Sequence, residues 1–133
     1  MKVFLDGTEN GSTWRQQLIP QLEDKGIEFF DPTIQARSKR SYQEELDQKK
    51  QSDFHLYLIT PKMDDFENIS ELIEDSNKNP QKTLFHFMEA DENDAFNTHQ
   101  IKSLKRVGEM VEKNGGIWCK EIDEIFNTLT ATQ

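Results

Sequence analysis

Five short apolar runs, each followed by a stretch with helical periodicity, set the tightest limit on how this chain can fold. The runs are Lys2–Asp6, Ile27–Phe30, Phe54–Thr60, Thr83–Phe87 and Ile117–Cys119. After the first, Ser12 stands where a helix N-cap is expected, and Trp14, Leu18 and Leu22 recur at fourfold spacing. Pro20 falls inside that pattern and predicts a kink or a restart. Ser41–Gln51 reads as a polar helix with Tyr42 and Leu46 as its apolar contacts. Asn68–Lys78 carries Ile69, Leu72 and Ile73 on one face, and Gln100–Asn114 carries Ile101, Leu104, Val107 and Val111. Ile122, Ile125, Phe126 and Leu129 mark a last helix. Strict alternation of strand and helix implies an α/β fold with a parallel sheet, covered on both faces and joined by right-handed crossovers. The commonest five-stranded solution has strand order 2-1-3-4-5.

A length of 133 residues fits one domain. The formal net charge of −9 repels phosphate backbones and argues against nucleic-acid binding. The one compact basic run, Arg37–Arg40, reads as a solvated loop, and the acidic stretch Glu89–Asp94 as an exposed one. A lone cysteine, Cys119, forms no internal disulfide and suits a reducing, cytoplasmic compartment; its apolar neighbours predict a buried thiol. No secretory leader is expected, since Asp6 interrupts the apolar N-terminus early, and no apolar stretch approaches a membrane span. His55, His86 and His99 lack the spacing of a zinc site, so no metal is predicted.

In sheets of this order, ligands bind beyond the carboxyl ends of the strands, at the switch point between strands one and three. The loops there are Asp6–Trp14 and Pro61–Ser70. The first offers Gly7 and Gly11 for close backbone approach, Thr8, Asn10 and Ser12 for hydrogen bonding, and Trp14 and Arg15 as a flat face and a cation. It lacks both the P-loop ending and the spaced dinucleotide glycines. Read from composition alone, it is equally a turn with a helix cap. The second loop leads to Asn68, Ser70 and Glu71, with Glu71 in the first helical turn, where the helix dipole favours a carboxylate. Glu44, Glu45, Asp47, Glu74 and Asp75 read as solvated carboxylates.

Three stretches resemble the nucleoside 2-deoxyribosyltransferase-like family. They are Val3–Thr8 through Ser12–Arg15, Leu56–Pro61, and Ile69–Leu72 through Asp75–Lys78, covering roughly the first two thirds of the chain. The resemblance implies a flavodoxin-like, Rossmann-like three-layer sandwich. It also implies chemistry at the bond between a base and a deoxyribose, with the sugar passed to another base or to water, and no cofactor. Glu71 matches the family's nucleophile, which would attack the anomeric carbon and form a covalent sugar ester. A second acid, usually aspartate in the family, has Glu45 as its nearest match. Asp6, Gly7, Thr8, Asn10, Trp14, Arg15, Asn68 and Ser70 would hold base and sugar. The implied partner is a small nucleoside or nucleobase, and family members often assemble as homo-oligomers. The run Leu72-Ile73-Glu74-Asp75-Ser76 departs from the small-residue helix of the enzymes, being bulkier and more acidic. That departure leaves room for a second reading, a binding module of the same fold that holds a nucleoside, a nucleotide or an NAD derivative without turnover.

Overall fold

The computed structural model describes residues 1–33 and 42–131. In chain order its elements are β1 (Lys2–Gly7), α1 (Trp14–Asp24), β2 (Glu28–Phe30), α2 (Tyr42–Gln51), β3 (Phe54–Ile59), α3 (Glu67–Lys78), β4 (Thr83–Phe87), β5 (Ala90–Asp91), β6 (Asp94–Ala95), α4 (Thr98–Lys113), β7 (Ile117–Trp118) and α5 (Ile122–Ala131). A single 3₁₀ turn, Pro80–Lys82, joins α3 to β4. Ser41 and the basic run Arg37–Arg40 lie outside the described residues.

The five parallel strands form one sheet in the order β2-β1-β3-β4-β7. Counted among themselves they follow the expected 2-1-3-4-5. Every residue of β3 is buried, as a central parallel strand requires. Leu56 and Leu58 join Val3, Leu5 and Leu84 under α1 and α5, which contribute Leu18, Leu22, Ile125 and Leu129. Tyr57 and Ile59 face the other way, with Phe85, under Leu72 of α3 and Leu104 and Val111 of α4. The result is three layers, with an apolar core on each face of the sheet. Among the described residues no helix is long and apolar enough to cross a membrane.

Several local expectations are corrected. The helix α1 runs unbroken through Pro20, because the hydrogen bond that proline forgoes would go to Gln16 on the exposed face. The N-cap position is Thr13, one residue later than expected; the Ser12 hydroxyl donates to Asp91 at 2.6 Å and accepts the Trp14 amide at 3.4 Å. The helix α2 buries none of its residues; Tyr42 is 76% and Leu46 40% exposed. Its attachment to the sheet is polar, through Lys49 to Asp6 and Tyr57. The acidic stretch after β4 is a two-stranded hairpin, β5–β6, and Asp91 is buried within it. The Asp91 carboxylate accepts from the Ser12 and Thr60 hydroxyls, so it clamps the loops after β1 and β3 together. Cys119 is buried as expected, and burial pushes its thiol up to about 12.

At Gly7 the backbones of β1 and β3 approach closely. Gly7 has φ +121°, and a Cβ there would stand 2.3 Å from the Leu58 carbonyl oxygen. The next amide, Thr8, donates to that same oxygen at 3.0 Å. Gly7→Ala must therefore strain the backbone and part the two strands. It is expected to lower stability by roughly 3 kcal/mol or more, read from urea-unfolding midpoints. An alanine variant as stable as the wild type would contradict this packing.

Candidate active site

The carboxyl end of β1 delivers Asp6 to the side of the sheet covered by α2 and α3. One Asp6 oxygen accepts the Gly7 amide at 3.1 Å, and the other accepts the Lys49 ammonium at 3.1 Å. Lys49 reaches in from α2 and also donates to the Tyr57 hydroxyl at 2.7 Å. Tyr57 passes its own proton towards Asp75 of α3, at 2.9 Å. His55, two residues earlier on β3 and so on the same face, meets the same Asp75 oxygen through Nδ1 at 2.6 Å. Its Nε2 lies 2.7 Å from the Lys49 carbonyl oxygen. A carbonyl only accepts, so Nε2 carries a proton and donates it. With a carboxylate at Nδ1 as well, both ring nitrogens face acceptors. The chain Asp6–Lys49–Tyr57–Asp75–His55 thus ties α2 and α3 to the sheet by charge-assisted bonds.

Burial alone would raise the Asp75 carboxyl. Hydrogen bonds from His55 and Asn79, with the nearby His55 and Lys49 charges, overcome it and hold the group at about 2. Tyr57 is driven far above its ordinary range, first by burial and then by the Asp6 and Asp75 charges, so its hydroxyl remains a donor. Asp75 is a correction to the sequence reading, which placed it in solvent; it is 7% exposed.

A cleft of about 740 Å³ opens between α2 and α3 above these residues. Of the expected site residues, Asp6, Glu45 and Glu71 line it together. Glu71 is the fifth residue of α3, one residue further in than expected, because the helix begins at Glu67. A carboxylate favoured by the helix dipole would be lowered. The Glu71 carboxyl is instead raised, by desolvation first and then by the negative charge of Asp6, against a smaller opposing pull from Lys49. Glu67, Glu74 and Asp75 also border the cleft, against Lys49 and Lys78, so its field is negative.

The remaining expected residues shape the loop and do not line this cleft. Thr8 is buried, and its hydroxyl oxygen accepts the Thr60 amide at 3.0 Å. The Asn10 side chain donates to the Lys62 carbonyl, and Asn68 donates to the Gly7 carbonyl at 3.0 Å. Ser70 bonds back to Phe66 within α3. Trp14 and Arg15 are corrections. Both are buried, the indole N–H donates to the Thr8 carbonyl, and the guanidinium donates to the carbonyls of Leu5 and Thr8. Arg15 also stands 3.5 Å from Asp31, so its charge is spent inside the fold. What the sequence reading missed is Lys49, Tyr57, His55 and Asp75. Two signals pointed to them: Glu45 and Lys49 share a helix face at i,i+4, and His55 and Tyr57 alternate within an otherwise apolar strand. Among the described residues no group of three or more His, Cys, Asp or Glu is arranged to hold a metal ion.

Comparison with protein-family models, with curated proteins and with solved structures finds no match.

Asp75 links this network to pH. Its folded carboxyl lies below the ordinary value of 3.8, so its stabilisation is complete above that pH and is lost as the pH falls towards 2. Asp75→Asn is expected to cost about 2 kcal/mol at pH 7 from the lost ionisation alone. The difference from wild type should shrink as unfolding is followed down to pH 2. A difference that stays constant over that range would show that the carboxylate is not what stabilises this network.

Proposed function

We propose that the protein cleaves N-glycosidic bonds of deoxynucleosides, transferring the sugar to a second base or to water, with Glu71 as the nucleophile. The observation that carries this reading is the meeting of Glu71, Asp6 and Glu45 in one cleft at the switch point of the sheet. A cleft of about 740 Å³ has the dimensions of a small-molecule site.

In the first step a Glu71 carboxylate oxygen bonds to the anomeric carbon as the bond from that carbon to the base nitrogen breaks. The base leaves with the electron pair and takes up a proton, for which Glu45 or solvent is the donor. In the second step an incoming base nitrogen or water attacks the same carbon and expels the Glu71 carboxylate. Asp6 serves this chemistry through charge: held by Lys49 and the Gly7 amide, it stays fixed beside Glu71 and raises its basicity. The negative field of the cleft favours an unphosphorylated nucleoside over a nucleotide.

Binding without turnover is the second reading. It is favoured by the bulky, acidic run Leu72-Ile73-Glu74-Asp75-Ser76 that follows Glu71.

The test is incubation with the four deoxynucleosides and a mixture of free bases, with products separated by chromatography. Glu71→Gln should abolish product formation. Because the Glu71 carboxyl is raised, the acid limb of kcat/KM should lie above the ordinary glutamate range near pH 4.5. Asp6→Asn should move that limb to lower pH by removing the neighbouring charge. Activity unchanged in Glu71→Gln would remove the assignment, and ligand binding with no product from wild type would leave the binding module.

A further inference from the structure

A second cleft, of about 510 Å³, opens at the same end of the molecule but shares no lining residue with the first. Its walls come from the start of α1, the end of β4, the β5–β6 hairpin and the segment after β7. Of the residues expected to hold base and sugar, Trp14 alone borders it, and no step of the proposed reaction uses it.

His86 forms part of its wall and is only 7% exposed. The ring Nδ1 lies 2.7 Å from the Cys119 carbonyl oxygen. A carbonyl accepts only, so Nδ1 holds the hydrogen and Nε2 keeps a lone pair. Cys119 is fixed for this role by its own amide, which donates to the Phe85 carbonyl at 2.7 Å. Among the described residues no group meets Nε2. Yet among the described residues no sealed-in side-chain nitrogen or oxygen lacks a hydrogen-bond partner. Nε2 therefore keeps some exposure, and the space that the ring lines is this cleft. Burial lowers the His86 pKa, against smaller upward pulls from the Cys119 carbonyl, Glu121 and Glu124, so the ring is a neutral acceptor at pH 7.

The surroundings select what this acceptor meets. Glu89, Glu92 and Glu121 are exposed carboxylates on the same walls. Lys120 also borders the cleft, with its ammonium 4.9 Å over the Trp118 ring. Met88, on the same face of the sheet as His86, adds apolar surface. A lone pair flanked by carboxylates calls for a positively charged N–H donor, and it disfavours phosphates and carboxylic acids.

We infer that the second cleft binds a small organic cation, an alkylammonium or alkylguanidinium, whose N–H groups bond to His86 Nε2 and whose charge is balanced by Glu89 and Glu121. The apolar stem of the ligand lies against Met88.

The test is titration of the whole chain with agmatine, followed by the side-chain nitrogen resonances of the histidines and by calorimetry. Saturable binding that moves the His86 Nε2 resonance is expected, with the amides of Lys49 and Glu71 undisturbed. The exposed double variant Glu89→Gln/Glu121→Gln, which leaves the core untouched, should weaken binding about tenfold or more. His86→Phe should abolish it. Tetramethylammonium, which has the charge but no N–H, should not saturate the site. No shift of His86 at millimolar agmatine would overturn the inference. So would affinity unchanged in the double carboxylate variant, or tetramethylammonium binding as well as agmatine.

Discussion

The buried carboxylate of Asp75 is the interaction on which the site depends. It accepts from Tyr57, His55 and Asn79 at once, and each of those groups is thereby fixed. Tyr57, so oriented, can accept from Lys49, and Lys49 then holds Asp6. Asp6 in turn raises Glu71. A helix that buries no residue is held over the sheet by this chain of charge-assisted bonds. Charges this deep persist because each has partners; removing any one would leave another uncompensated. The network thus sets the electrostatics of the cleft and the placement of α2 together.

Much of the fold was legible in the sequence because it follows from periodicity. Alternating apolar runs and amphipathic stretches dictate a covered parallel sheet, and the connectivity rules reduce the strand orders to a few. The same reasoning marked the loops after β1 and β3, with Asp6 and Glu71; Glu45 came into view only through the family resemblance, since periodicity read it as solvated. It failed where polarity did not report exposure. Asp75 and Asp91 read as surface acids, yet both are buried as hydrogen-bond hubs for residues distant in the chain. Trp14 and Arg15 read as ligand contacts, but their polar atoms satisfy loop carbonyls that would otherwise be buried without donors. Tyr42 and Leu46 read as core contacts, yet they face solvent at the rim of the first cleft. Local pattern records which face of an element is apolar. It does not record which distant partner a polar group will find.

The two clefts divide the carboxyl end of the sheet by face. The first lies on the α2 and α3 side and is built around carboxylates that face Lys49. The second lies on the α1 side, beneath the β5–β6 hairpin, and is built around a neutral imidazole. Asp91, bonded to the loops after β1 and β3, anchors the hairpin to both of them. The hairpin thereby connects the frame of one cleft to the wall of the other.

The central claim is that Glu71 attacks the anomeric carbon of a nucleoside. The most direct measurement uses a deoxynucleoside analogue with fluorine beside the anomeric carbon, which slows release of a covalent sugar ester. The protein is incubated with it, digested and analysed by mass spectrometry. The account predicts a sugar adduct on the peptide that contains Glu71, formed as free base is released and absent from Glu71→Gln. Free base released with the adduct on another residue, or an analogue left intact by a protein that binds it, would contradict the account.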